Sequence, residues 1–313
     1  MRVFRGIEEL LPIAHAVATI GTFDGVHLGH RSVLDRLGME AVRLGGESLL
    51  ITFWPHPRMV LQPDYTDLRL LNTLDEKLEL LASTGLDNVL ILPFTLDFAR
   101  TGSHDFVRQI LVSTLGVKKV IIGYDHHFGR NREGSYEVLE EFQPIFGYEL
   151  EAIPAAQIDE INVSSTKIRQ ALSDGDMARS RVFLGYHYFL QGTVVKGQGL
   201  GKNLGFPTAN IRVNHPFKLI PKDGVYAAIL KVASLQLHGM LNIGFRPTFN
   251  GIERSIEIHV FDFQGDLYAE DVRLSFVERL RDEMKFPNAQ ALVEQLNLDE
   301  ARARWVLKQA SLA

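Results

Sequence analysis

The chain has 313 residues, enough for two domains that each bury a core, with 46% apolar residues, 23% charged residues and a net charge of −5. That composition excludes a disordered chain, and its interspersed charges form no basic tail or stripe of the kind that binding to long nucleic acids needs. Cysteine is absent, which excludes disulfides and thiolate metal sites and fits a reducing cytoplasm.

At the start of the chain, Glu8 and Glu9 stand where a signal peptide would have its apolar centre. No run anywhere approaches the roughly 18 apolar residues of a membrane span, so a cytosolic protein without a membrane partner is expected. Up to about residue 155, apolar β-rich runs at 16–20, 48–53, 89–94, 119–122 and 149–153 alternate with helical spacing over 30–44, 74–83, 103–115 and 135–146. Such alternation predicts an α/β fold with a parallel sheet and crossover helices, in which ligands sit beyond the carboxyl ends of the strands.

The first of those ends carries Gly21-Thr22-Phe23-Asp24-Gly25-Val26-His27-Leu28-Gly29-His30, running into a helix. His27 and His30 share a face of the first turn. Gly25 and Gly29 let a ligand approach the backbone, and a helix N-terminus favours an anion, so the segment reads as a phosphate cradle with two imidazoles. A zinc pair or two surface histidines are the alternatives, and zinc would need a third ligand. The second strand ends in Pro55-His56-Pro57, placing His56 at the same edge. After the fourth, residues 123–134 hold glycines, Asp125, Arg130 and Arg132, a loop suited to phosphate or a ring edge. After the fifth, Ser164-Ser165-Thr166-Lys167-Ile168-Arg169 opens a helix, either as a plain N-cap or as a second phosphate contact.

Helical spacing continues to about residue 184, where the texture changes. Runs at 188–195, 224–232, 235–243, 255–261 and 272–276 read as strands separated by Gly, Pro, Asn and Asp, predicting an antiparallel barrel or sandwich. An amphipathic tail helix over 288–309 is expected to cover one face with Leu292, Leu296, Leu298, Trp305 and Val306. These changes put a domain boundary between 1–184 and 185–313.

The first of these strands runs into Lys196, Gly197, Gly199, Gly201 and Lys202, then Pro207-Thr208-Ala209-Asn210. The glycines suit a loop whose amides surround phosphates, although the order of a P-loop is missing and a hairpin loop would look similar. Thr208 and Asn210 offer neutral oxygens of the kind that suit Mg²⁺ bridged to ATP. Glu257 shares a strand face with Ser255 and His259, as a general base for a hydroxyl or as an exposed strand residue.

His27 and His30 with the 164–169 segment resemble the HxGH nucleotidyltransferase superfamily. Residues 197–210, Asn242-Ile243-Gly244-Phe245-Arg246-Pro247-Thr248, Glu257 and Arg281-Asp282-Glu283 with Lys285-Phe286 look like bacterial riboflavin kinase. In this order, over roughly 15–310, the chain resembles the prokaryotic bifunctional riboflavin kinase/FMN adenylyltransferase (FAD synthetase) family. The resemblance implies a Rossmann-like nucleotidyltransferase domain followed by a six-stranded riboflavin kinase barrel with a C-terminal helix.

It further implies two reactions in series: riboflavin and ATP give FMN and ADP, then FMN and ATP give FAD and pyrophosphate. His27 and His30 would polarise the ATP phosphates. Gly25, Gly29, Ser164, Ser165, Thr166 and Arg169 would complete that phosphate site, with His56, Asp125 and Arg132 lining the flavin cleft. In the kinase half, Lys196, Gly197, Gly199, Gly201 and Lys202 would hold ATP, Thr208 and Asn210 Mg²⁺, and Glu257 would deprotonate the ribityl 5′-hydroxyl. Arg281 would contact the flavin. Tyr186-His187, Lys202 and His126-His127 depart from the family pattern, the second losing the bidentate geometry of arginine. Two other readings are a nucleotidyltransferase for another small phosphate and a non-enzymatic flavin- or metal-binding protein that uses His27, His30, His56, His126 and His127.

Overall fold

The computed structural model describes all residues except 63–67, 124–127, 130–132, 154–162, 198, 249–250 and 311–313. They form two compact units, Met1–Ser165 and Thr166–Ala313.

The first unit is built on strands β1 (Arg2–Phe4), β2 (Val17–Ile20), β3 (Ser48–Trp54), β4 (Asn88–Pro93), β5 (Lys119–Gly123) and β6 (Glu149–Ile153). They make one sheet in the order β1-β4-β3-β2-β5-β6, and every pair is parallel. The central strands are apolar without alternation because both faces are covered; every residue of β2 is buried. Helices α1 (Leu28–Arg43), α2 (Pro57–Leu61), α3 (Leu74–Ala82) and α5 (Tyr136–Phe146) lie between them in the chain. α4 starts as an α-helix at Ser103–Asp105 and continues with π-type turns over Phe106–Thr114. α1 buries Val33, Leu34, Leu37 and Ala41, a stripe at the helical period. β2 stands where the strand order reverses, with β3 and β5 on either side, and such reversal points hold ligands in open α/β sheets.

The 164–184 stretch is two helices, α6 (Ser165–Asp174) and α7 (Met177–Leu184). Gly175 between them has φ 80°, a left-handed conformation that ends the first helix.

The second unit is a closed barrel of β7 (Phe189–Val195), β8 (Ala209–Val213), β9 (Gly224–Val232), β10 (Leu235–Thr248), β11 (Gly251–Val260) and β12 (Asp271–Arg281), in the order β10-β11-β8-β7-β12-β9. All its pairs are antiparallel. Two strands escaped the reading of the periodicity: β1, too short to show a pattern, and β8, whose Asn210 and Arg212 interrupt the apolar run. α8 (Ala289–Ala310) closes the chain. Its buried stripe is Ala303, Val306 and Leu307, packed with Leu296 and Val293 on Phe206, Ala227, Met240 and Phe261. Leu298 and Trp305, expected to cover the barrel, are instead 65% and 61% exposed. They lie off the stripe that starts at Val293, and the bond that Arg281 donates to Asp299 fixes the helix in that rotation.

Candidate functional site

In the first unit the loop after β2 is a tight turn. Phe23, Gly25 and Val26 have φ of 47°, 96° and 37°. A β-branched residue at positive φ is strained, and a fold keeps such a conformation where the surrounding structure over-determines it. Three anchors do so here. The Asp24 carboxylate accepts the amides of Leu71 and Asn72 at 3.0 and 3.2 Å. The Asp24 carbonyl accepts from Ser165 Oγ at 2.8 Å. The Thr22 carbonyl accepts from Lys77 Nζ at 2.6 Å.

The turn delivers His27 as the N-cap of α1, one step short of the helix, where its Nδ1 accepts the His30 amide at 3.3 Å. The two imidazoles stack with centroids 3.6 Å apart and planes 14° apart, and Phe23 continues the stack against His30 at 4.5 Å. Gly29 lies under this pair, and a Cβ there would press on the His27 ring and Val163. His30 is held well below the ordinary histidine value, first by burial, then by repulsion from His27 and Lys77. It is therefore neutral near pH 7, and its buried Nδ1 has no hydrogen-bond partner. Among the described residues no group of three or more His, Cys, Asp or Glu is arranged to hold a metal ion.

Ser165 thus joins the turn through its hydroxyl, and Thr166 and Arg169 follow on α6. His56 caps α2 by accepting the Arg58 amide at 3.2 Å, directly beyond β3. Asp125 and Arg132, with Arg130, His126 and His127, lie outside the described residues. Lys77 and Asp24 had not been singled out from the sequence. Lys77 carried a signal, because it sits three and four residues from Leu74 and Leu81, on the apolar stripe of α3.

In the second unit, Glu257 on β11 is cross-strand partner to Asn210 on β8 and to Asn242 on β10. The carboxylate is 6% exposed, so it is not an open strand residue. Thr208 Oγ1 donates to its Oε2 at 3.2 Å and Ser255 Oγ to its Oε1 at 3.2 Å. His259, on the same face, contacts the Pro207 carbonyl at 2.7 Å and fixes the start of β8. Three oxygen-bearing side chains, two from β11 and one from the approach to β8, therefore converge on one point.

The loop before them is built around this cluster. A Cβ on Gly197 would overlap the Asn210 carboxamide, and one on Gly201 would overlap the Phe206 carbonyl. Replacing Gly201 must shift the backbone at Phe206, and replacing Gly197 must shift the loop or the Asn210 side chain. Lys196, Gly199 and Lys202 are exposed, with Gly199 left-handed at φ 71°. Arg281 is engaged by Asp299 through three contacts of 2.7–3.0 Å, and its Nη1 donates to the Asp282 carbonyl at 2.9 Å. Glu283 packs against Gly244, where a Cβ would overlap its carboxylate.

Comparison with known proteins places these features. Residues 12–167 match the FAD synthetase family and residues 184–307 the riboflavin kinase family. The bifunctional riboflavin kinase/FMN adenylyltransferase of Pseudomonas fluorescens is 37% identical over 306 residues, 97% of both chains. The protein of the same description from Escherichia coli K12 is 36% identical, again over 97% of both chains. Among solved structures, one described as a macrolide-efflux protein from Streptococcus pneumoniae superposes with a TM-score of 0.88 at 28% identity, covering 96% of this chain and 98% of its own. Among the described residues, no helix is long and apolar enough to cross a membrane.

Proposed function

The chain belongs to the bifunctional riboflavin kinase/FMN adenylyltransferase family, and from that premise we propose that it makes FAD in two ATP-dependent steps. In the first, the 5′-hydroxyl of riboflavin takes the γ-phosphoryl group of ATP, giving FMN and ADP. In the second, the FMN phosphate attacks the α-phosphorus of another ATP, giving FAD and pyrophosphate. The observation that carries the reading is that both halves match, in this order, over 97% of the chain. We assign the second step to residues 1–184 and the first to 185–313; the helices over 168–183 fall between the two family matches.

Phosphoryl transfer needs a group to take the proton of the attacking hydroxyl and a cradle for the phosphates. Glu257 supplies the carboxylate, aimed by its bonds from Thr208 and Ser255. Amides of the 196–202 loop and the two exposed lysines face ATP, with Arg281 toward the flavin. The donor set at Thr208 and Asn210 is neutral oxygen, which suits Mg²⁺ shared with a polyphosphate better than a cage made by protein alone. When bound, the ion would neutralise charge on the phosphates.

Adenylyl transfer needs no base, because the attacking phosphate is already ionised. It needs donors where charge builds on the α-phosphate and on the leaving pyrophosphate. His27 and His30 fill that role, backed by the amides around Gly25 and Gly29 and by Ser164, Ser165, Thr166 and Arg169. His56, Asp125 and Arg132 are assigned to the flavin side. A cytoplasmic location, where ATP is abundant, is part of the same proposal. Incubating the protein with riboflavin, ATP and Mg²⁺ and separating the flavins tests the reading. FMN should appear first and FAD after it; riboflavin recovered unchanged would refute it.

A further inference from the structure

Lys77 is a cost to the fold that its local structure does not explain. It lies on α3 between Leu74 and Leu81, is 2% exposed, and donates to a backbone carbonyl, that of Thr22, at 2.6 Å. The Thr52 hydroxyl also reaches that carbonyl, at 3.4 Å, so a neutral donor is already present. A buried ammonium is expensive unless it is paired, and helix interiors normally place an apolar residue here.

We propose that Lys77 is a positioning residue for adenylyl transfer, pinning the Thr22 end of the strained turn and setting a fixed positive charge behind the His27–His30 stack. The inference rests on the assignment of that turn to the ATP phosphates. Among the described residues Phe23 and His27 stack with His30 and the Lys77 charge repels its protonated form, while Asp24 on the same turn partly offsets the Lys77 charge. Burial draws Lys77 down from 10.5 to about 8, which still leaves it mostly protonated at pH 7. Its charge in turn helps to hold His30 neutral. A neutral His30 keeps a free N–H donor and a stacked orientation, while the positive field that draws the polyphosphate comes from a lysine that cannot swing away. A triphosphate arriving at the stack is met by groups already held in place.

Lys77→Gln keeps a donor for the Thr22 carbonyl and removes the charge; Lys77→Arg keeps the charge. The His30 ring is followed by NMR titration, assigned by comparison with His30→Asn, alongside ATP dependence of both reactions. In Lys77→Gln the His30 midpoint should rise by about one pH unit and the KM for ATP in adenylyl transfer by about tenfold, with FMN formation from riboflavin unchanged. Lys77→Arg should bring both back toward wild type. A folded Lys77→Gln protein with the wild-type His30 midpoint and ATP dependence would overturn the proposal. Loss of the fold in Lys77→Gln would also overturn it, since it assigns Lys77 to stability alone. The titration needs no substrate, so a wild-type protein that left FMN unadenylylated would refute the assigned reaction while the spectrum still judged the link from Lys77 to His30.

Discussion

Asn210 stands directly across the β8–β11 ladder from Glu257, and the Gly197 backbone lies against the Asn210 carboxamide with no room for a Cβ. The loop at Gly197 and the carboxylate are thus connected through one asparagine. Gly197→Ala must displace either the loop or Asn210. It is expected to lower kcat/KM for FMN formation by about 100-fold, the cost of losing one aligned transition-state donor, and to leave FAD formation from FMN intact. Steady-state assays started separately from riboflavin and from FMN check this.

The N-terminal unit has a buried ion cluster distant from the chemistry. Glu40, 4% exposed, accepts from Lys119 and Arg43 at 2.8 Å each, and Lys119 also reaches Glu151 at 2.6 Å. The hydrogen bond from Lys119, then that from Arg43, holds the Glu40 carboxyl at about 2 instead of 4.5. Because the folded value is depressed, the unfolded chain binds the proton first as pH falls. The contribution is complete above pH 4.5 and is lost on the way down to about pH 2. Glu40→Gln should destabilise the protein by about 2 kcal/mol at pH 7, and the deficit should close in acid. Urea titrations at several pH values measure it.

Lys77 gives the same sign of pH dependence from the opposite cause, since burial disfavours its charge. Its folded value of about 8 lies below the unfolded 10.5, so between these values the unfolded chain carries more protons and stability rises with pH. The wild type should gain up to about 3 kcal/mol across that window relative to Lys77→Gln, which has nothing to titrate there. Paired denaturant titrations from pH 7 to 10.5 read this directly; a constant difference would mean that Lys77 is not buried as a cation.

Much of this architecture was legible in advance. The apolar runs of β2, β3 and β4 needed no context, since a strand buried on both faces is apolar throughout. His27, His30, Thr208 and Glu257 were visible because their motifs combine residue types that packing alone does not require together. What stayed hidden depends on neighbours distant in sequence. β8 is a strand because Glu257 and Val195 flank it, while its own residues alternate poorly. Trp305 looks like an anchor until the Arg281–Asp299 pair sets the rotation of α8. Lys77 reads as a solvated helix lysine unless its place on the apolar stripe is weighed against its charge.

Independence of the two sites is the central claim, and one pair of variants tests it most directly. His27→Ala removes a donor from the stacked pair, and Glu257→Gln removes the carboxylate beside Thr208 without changing its shape. Each is assayed from riboflavin and from FMN. His27→Ala should convert riboflavin to FMN at the wild-type rate and lose FAD formation by a factor of about 100 or more, and Glu257→Gln should do the reverse. Loss of both activities in either variant would contradict the account.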